Sequence, residues 1–129
     1  MYTLKQEVKQ LFAETKIWMV STCADKPNAI PVFFTAVNDN DDLIIYDVFM
    51  RKTLENLKTN KNVSITVYNG STMEGYQVKG TAQYSDDTSL VEKGNAITSS
   101  HKLTTKGVLI VKPEETFVLT PGPNNGKEL

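Results

Sequence analysis

Leu4, Val8, Leu11 and Phe12 recur at helical spacing, with Lys5, Gln6, Glu7, Lys9 and Gln10 between them. That spacing predicts an amphipathic first helix, with Thr3 as its N-cap. The period then changes. Ile17 to Thr22 (IWMVST) and Ala29 to Val37 (AIPVFFTAV) are β-rich runs separated by the turn chemistry of ADKPN, which predicts a hairpin. Pro31 lies inside the second run and cannot donate a ladder hydrogen bond, so it marks an edge, a bulge or a place where something else approaches. A turn at NDNDD leads to a third strand, Leu43 to Phe49, and Leu54 and Leu57 place a short helix over Thr53 to Lys58. Val63 to Tyr68 (VSITVY) alternates as a fourth strand, and NGST turns into a fifth, Gly75 to Tyr84. Gly80 inside that fifth strand predicts a bulge or a barrel corner. A helix follows from Asp86 to about Thr98, capped by Asp86 or Asp87. Gly107 to Val111 and Thr116 to Leu119 are the last two strands.

Six or seven short antiparallel strands, with helices only at the ends and between strands, predict a mainly β Greek-key barrel rather than a parallel sheet. Residues 1–120 form this one domain, and residues 121–129 read as a flexible C-terminal tail.

Composition narrows the function. The chain has 129 residues, within the size of one domain, with 40% hydrophobic residues, enough for one real core, and 22% charged, so a globular fold is expected rather than disorder. A net charge of -1, with no basic stretch interleaved with aromatics, argues against nucleic acid as a partner. The apolar runs are too short for a membrane span. The first residues lack the apolar region and cleavage site of a signal peptide, and the single cysteine, Cys23, excludes an internal disulfide and a thiolate metal cluster. The expected compartment is the cytoplasm.

Arg51-Lys52-Thr53 is the strongest local feature, because it follows a strand directly and opens a short helix. A guanidinium fork, an ammonium and a hydroxyl at a helix start suit a phosphate. Taken alone, the tripeptide reads more simply as a threonine cap with two solvated bases. Phe33 and Phe34 face opposite sides of one strand, so one suits the barrel and the other a planar ligand or a partner subunit. His101 is the only histidine and has no adjacent acid to orient it, which fits a surface residue better than a base or metal ligand. Cys23 reads as a small packed residue. No Gly-rich phosphate loop, nucleophile elbow or HExxH pattern occurs, so any hard chemistry belongs to a cofactor.

Three segments, IWMVSTCADKPNAIPVFFTAV, LIIYDVFMRKTLENLKTNKNVSITV and EGYQVKGTAQY, in this order resemble the pyridoxamine-phosphate-oxidase-like FMN-binding proteins over roughly Ile17 to Tyr84. The closest size match is to the small bacterial FMN-binding proteins. The resemblance implies a split β-barrel and a two-fold homodimer with FMN between subunits. By position it assigns Arg51, Lys52 and Thr53 to the phosphate, and Pro31, Val32 and Phe33 to the isoalloxazine. Tyr46 and Asp47 fall beside the ribityl and ring, and Gln77 reaches the flavin across the dimer. No metal is implied. Ile30 and Thr35 stand where the true oxidase has basic residues, and the C-terminal LTPGPNNGKEL lacks its Arg-x-His stretch, so pyridoxamine phosphate oxidation is not expected.

Three functions remain open at this point. One is a flavin-dependent oxidoreductase that takes electrons from a nicotinamide or protein donor to a small acceptor such as a nitroaromatic compound or a quinone. The second is a non-catalytic flavin-binding or electron-carrier module. The third is a haem- or deazaflavin-binding member of the same fold, to which the lone His101 lends little.

Overall fold

The alternating segments of the sequence become one curved sheet in the computed structural model, which describes residues 2–129. The elements in chain order are α1 (Gln6–Glu14), β1 (Trp18–Cys23), β2 (Pro27–Val32), β3 (Thr35–Val37), β4 (Leu43–Asp47), α2 (Lys52–Leu57), β5 (Asn62–Tyr68), β6 (Gly75–Ser85), α3 (Thr88–Thr98) and β7 (Gly107–Val118). A single 3-10 turn, Ser99–His101, follows α3. All strand pairings are antiparallel, in the order β2-β1-β5-β6-β7-β4-β3. The two edge strands of this seven-stranded sheet are therefore neighbours in the chain, separated only by Phe33 and Phe34. The sheet curls until its edges meet at that dipeptide, the architecture of a split β-barrel.

Inward-pointing residues alternate along the strands and fill the barrel with Trp18, Val20, Ile45, Ile65, Val78 and Leu109, among others. Helix α1 adds Val8, Leu11 and Phe12 to this core, as its 3.6-residue spacing requires. A second, smaller cluster of Ile44, Tyr46 and Val108 lies on the outward face of β4 and β7, with Leu90 of α3 and Phe34 packed against it. Strand β4 is thus buried on both faces, which explains why LIIYD is an unbroken apolar run ending in a carboxylate.

Several expected boundaries move. The first helix begins at Gln6 with Lys5 at its N-cap and no side-chain cap, so Thr3 is not the cap. The N-terminal segment is tied down instead by Asp41, whose Oδ2 accepts the Leu4 N–H at 3.0 Å and whose Oδ1 accepts the Lys9 ammonium at 2.7 Å. Chiefly through that Lys9 bond, its carboxyl is held below the usual aspartate range. Asp41 itself has a φ of 63°, a left-handed conformation that aspartate tolerates in turns. The expected strand 29–37 breaks into β2 and β3 at the split, and the third strand stops at Asp47 rather than Phe49. The third helix starts after Asp87, the N-cap residue, with no side-chain bond from it.

The two expected final strands are one. Gly80 pairs with Pro113 while Lys79 pairs with Glu115, so Glu114 is an extra residue and β7 carries a bulge there. The bulge lets Pro113 sit within a continuous strand. It also explains Gly80, because a methyl group at that position would collide with the Lys112 carbonyl. Residues 121–129, expected as a flexible tail, have exposed side chains, and their backbone turns back along the end of β7. Phe117 bridges Glu128, and the Leu129 N–H donates to the Thr116 carbonyl at 2.8 Å. Among the described residues no helix is long and apolar enough to cross a membrane.

Candidate functional site

The split in the barrel is also where the chain leaves a pocket, of about 290 Å³. One wall is the Ile30–Phe34 stretch, where β2 ends and the two edges of the sheet meet. The other is Tyr46 with the Val48–Met50 turn that follows β4. The Tyr46 N–H donates to the Phe34 carbonyl at 2.8 Å, which fixes the two walls against each other. Val32, Tyr46, Val48 and Met50 are buried. Phe33 and Phe49, at 59% and 73% exposure, leave large apolar faces in water at the mouth. The Phe33 and Phe34 rings are tilted at 56° with centroids 6.5 Å apart. Phe34 packs in the cluster beneath α3, not in the barrel core as one of the two phenylalanines was expected to do.

Pro31, Val32, Phe33 and Tyr46 therefore come together around one apolar space. The Tyr46 hydroxyl stays a neutral donor well into the alkaline range, because burial pushes its phenol up. Five lining residues lie outside the expected cofactor set: Ile30 and Phe34 beside the expected stretch, and Val48, Phe49 and Met50 after β4. The signal for Phe49 and Met50 was present, since FM directly before RKT joins an apolar pair to a basic pair.

The basic turn adjoins the pocket. Arg51 is exposed and occupies the N-cap position of α2. The Lys52 ammonium lies 3.3 Å from Glu55, an exposed i,i+3 pair of the kind worth about 0–1 kcal/mol. Thr53 is not the helix cap. It is buried inside the first turn, and its Oγ1 accepts a hydrogen bond from the Asn28 Nδ2 at 3.3 Å. A parallel bond from the Asn56 Nδ2 to the Thr22 Oγ1, at 3.1 Å, ties α2 to the β1–β2 hairpin. Lys26 on that hairpin and Lys52 flank a hollow of about 400 Å³ beside α2, which Asp25 and Glu55 also line.

Two expected site residues stand apart from the pocket. Asp47 is only 1% exposed, and both of its carboxylate oxygens are occupied. Oδ1 accepts the Met50 N–H at 2.9 Å, and Oδ2 accepts the Tyr84 hydroxyl at 2.6 Å. Gln77 lies on the outer face of the sheet, in a cross-strand row that runs Pro31, Met19, Thr66, Gln77, Phe117. The same face exposes Ile17, Met19, Phe33 and Tyr68, with Met73 on the β5–β6 turn also exposed. His101 is exposed, its ring 5.4 Å from that of Phe34. Cys23 is a half-buried free thiol, and no group of three metal-ligating side chains occurs among the described residues.

Comparison with known proteins places these features in a wider set. Residues 4–120 match the pyridoxamine 5'-phosphate oxidase family. An uncharacterized protein of Methanocaldococcus jannaschii is 32% identical over 129 residues, 95% of this chain and 85% of the relative. The crystal structure of tagged HupZ from Group A Streptococcus is similar with a TM-score of 0.81 and 25% identity, covering 96% of this chain and all of that one. A FAD-binding protein of Mesorhizobium loti shares the fold at 16% identity, with a TM-score of 0.67 over 89% of this chain and 94% of its own.

Proposed function

The chain belongs to the pyridoxamine 5'-phosphate oxidase family, and on that premise we propose that it is a cytoplasmic FMN-binding redox protein that works as a homodimer. One observation carries the reading: the lining of an apolar pocket at the split ends at Met50, the residue directly before the exposed Arg51–Lys52 pair. FMN has the matching polarity, a flat ring at one end and a phosphate dianion at the other. The FAD-binding protein of the same fold supports a flavin as the ligand class.

In this reading the Pro31–Phe33 backbone runs along the isoalloxazine, with Phe33 and Phe49 covering its apolar end. The Tyr46 hydroxyl donates to a ring or ribityl oxygen. Arg51 and Lys52 hold the phosphate, and Lys52 gives up only a weak surface pair with Glu55 to do so. Thr53 supports them from below, buried in the first turn of α2 with its Oγ1 held by the Asn28 amide. The flavin supplies the electron chemistry when bound, and the residues supply binding, orientation and cover. The protein then passes electrons from a reduced nicotinamide or a protein donor to a small acceptor.

The pocket volume lies just below the usual range of ligand sites, about 300–1,000 Å³, and its mouth is open at Phe33 and Phe49. A second subunit on the outer face would cover Ile17, Met19, Phe33 and Tyr68, and would bring its own Gln77 to the flavin. The purified protein is expected to be yellow, with absorbance near ~450 nm from oxidised flavin. Extraction with mass identification is expected to return FMN. Failure of the stripped protein to take up FMN saturably would overturn the proposal. Sedimentation is expected to give a dimer at micromolar concentration. A species of 14.4 kDa would remove the shared site. Bleaching of the bound flavin by a reduced nicotinamide would distinguish an enzyme from a carrier fed by a protein donor.

A further inference from the structure

Asp47 carries a carboxylate into a nearly water-free position where, among the described residues, no lysine, arginine or histidine pairs with it. Its two oxygens are satisfied by the Met50 N–H and the Tyr84 hydroxyl. Its carbonyl accepts the Lys106 N–H at 2.7 Å. Three separate pieces of chain thus converge on one residue: the turn leading into α2, the far end of β6, and the start of β7. Gly107 belongs to the same arrangement. It pairs with Asp47 across β4 and β7, and a methyl group there would collide with the Tyr84 hydroxyl and ring. The glycine is what lets the tyrosine lie across the strand and reach the carboxylate.

A buried acceptor that loses its donor keeps the whole cost of its lost hydration, so this geometry is over-determined. The element it fixes is the Val48–Arg51 turn, which supplies one wall of the pocket and aims Arg51 and Lys52. We infer that Asp47 and Tyr84 are positioning residues: together they hold the basic turn in its ligand-ready shape, and neither touches the ligand. This replaces the expectation that Asp47 lies beside the ribityl chain, and it rests on the flavin reading of the pocket.

Tyr84→Phe removes one oxygen and keeps the ring. Amide exchange of the ligand-free variant is expected to accelerate about tenfold at Met50 and its neighbours in the turn, with β5 amides unchanged. FMN affinity is expected to fall about tenfold or more, and riboflavin affinity by clearly less, although Tyr84 is outside the site. Combined with Lys52→Ala, the losses are expected to be less than additive, because a mis-aimed lysine contributes little. Asp47→Asn, which keeps an acceptor for one of the two donors, is expected to show the same pattern more weakly. Unchanged exchange at the turn, equal losses for both ligands, or strict additivity with Lys52→Ala would each overturn the inference. If the native protein binds no flavin, the flavin reading fails, and the exchange arm still decides whether the latch holds the turn.

Discussion

Replacing both Arg51 and Lys52 by alanine is expected to cost FMN binding about two orders of magnitude or more while leaving riboflavin nearly untouched. The magnitude comes from the bond type. A hydrogen bond to a charged group contributes roughly 1.5–3 kcal/mol, and the low end applies because both side chains stand in water. Two such bonds at the low end give about 3 kcal/mol, which is a little over a hundredfold in affinity. The native pair of Lys52 with Glu55 does not offset this, being exposed and worth less than about 1 kcal/mol. Riboflavin has the same ring and ribityl chain but no phosphate, so it isolates the clamp from the pocket. Titration of the stripped protein with each ligand, followed by quenching of flavin fluorescence, reads both constants. Equal losses would show that the two bases support the fold of the turn instead of holding a phosphate. Raising the salt concentration is expected to weaken FMN in the native protein and to matter much less in the double variant.

Much of this architecture is legible along the chain because the sheet has two different faces. VSITVY and GYQVKGTAQY alternate since β5 and β6 bury one side and expose the other. Misreadings arise where that simple contrast fails. Strand β4 is covered on both faces, so its continuous apolar run did not say where the strand ends, and the boundary moved from Phe49 back to Asp47. Pro113 falls in the gap between the two expected final strands, and a proline in a central strand normally ends it. Only its pairing with Gly80, more than thirty residues earlier, reveals the bulge that accommodates it. The site shows the same division. The charge of Arg51-Lys52-Thr53 and the proline inside the second strand are visible locally, but only the family resemblance ties them to a flavin. What Asp47 and Thr53 do is not visible locally. Each is a polar residue beside a basic turn, but each is already engaged, by Tyr84 and by Asn28, at separations of 37 and 25 residues. Local sequence gives the chemical type of a side chain, whereas a tertiary partner decides whether that chemistry is free.

Trp18→Ala is expected to bring the protein close to unfolding. Trp18 is only 1% exposed, and it stands in the barrel core with its ring edge-on to Phe12, centroids 4.9 Å apart. Its indole N–H donates to the Phe12 carbonyl at 3.1 Å, at the C-terminal end of α1, so the residue joins helix to barrel by packing and by a hydrogen bond. Truncating a buried aromatic to alanine typically costs about 3–5 kcal/mol, against a total stability of about 5–15 kcal/mol for a domain. The Phe12 carbonyl also loses its donor. Trp18 pairs with Val32 across β1 and β2, so the cavity opens directly behind one wall of the candidate pocket and links core to site. Melting is best followed by far-ultraviolet circular dichroism, because Trp18 is the only tryptophan and the variant has lost that fluorescence signal. The midpoint is expected to fall by about 10 °C or more for a chain of this size. FMN at a hundred times its dissociation constant is expected to restore about 2.7 kcal/mol, so the loaded variant recovers a large part of the loss. Trp18→Phe keeps one aromatic ring in the core and loses the N–H with a smaller cavity, so a smaller loss than for Trp18→Ala is expected. A midpoint for Trp18→Ala within about 2 °C of the native protein would mean that α1 and the barrel do not depend on this contact.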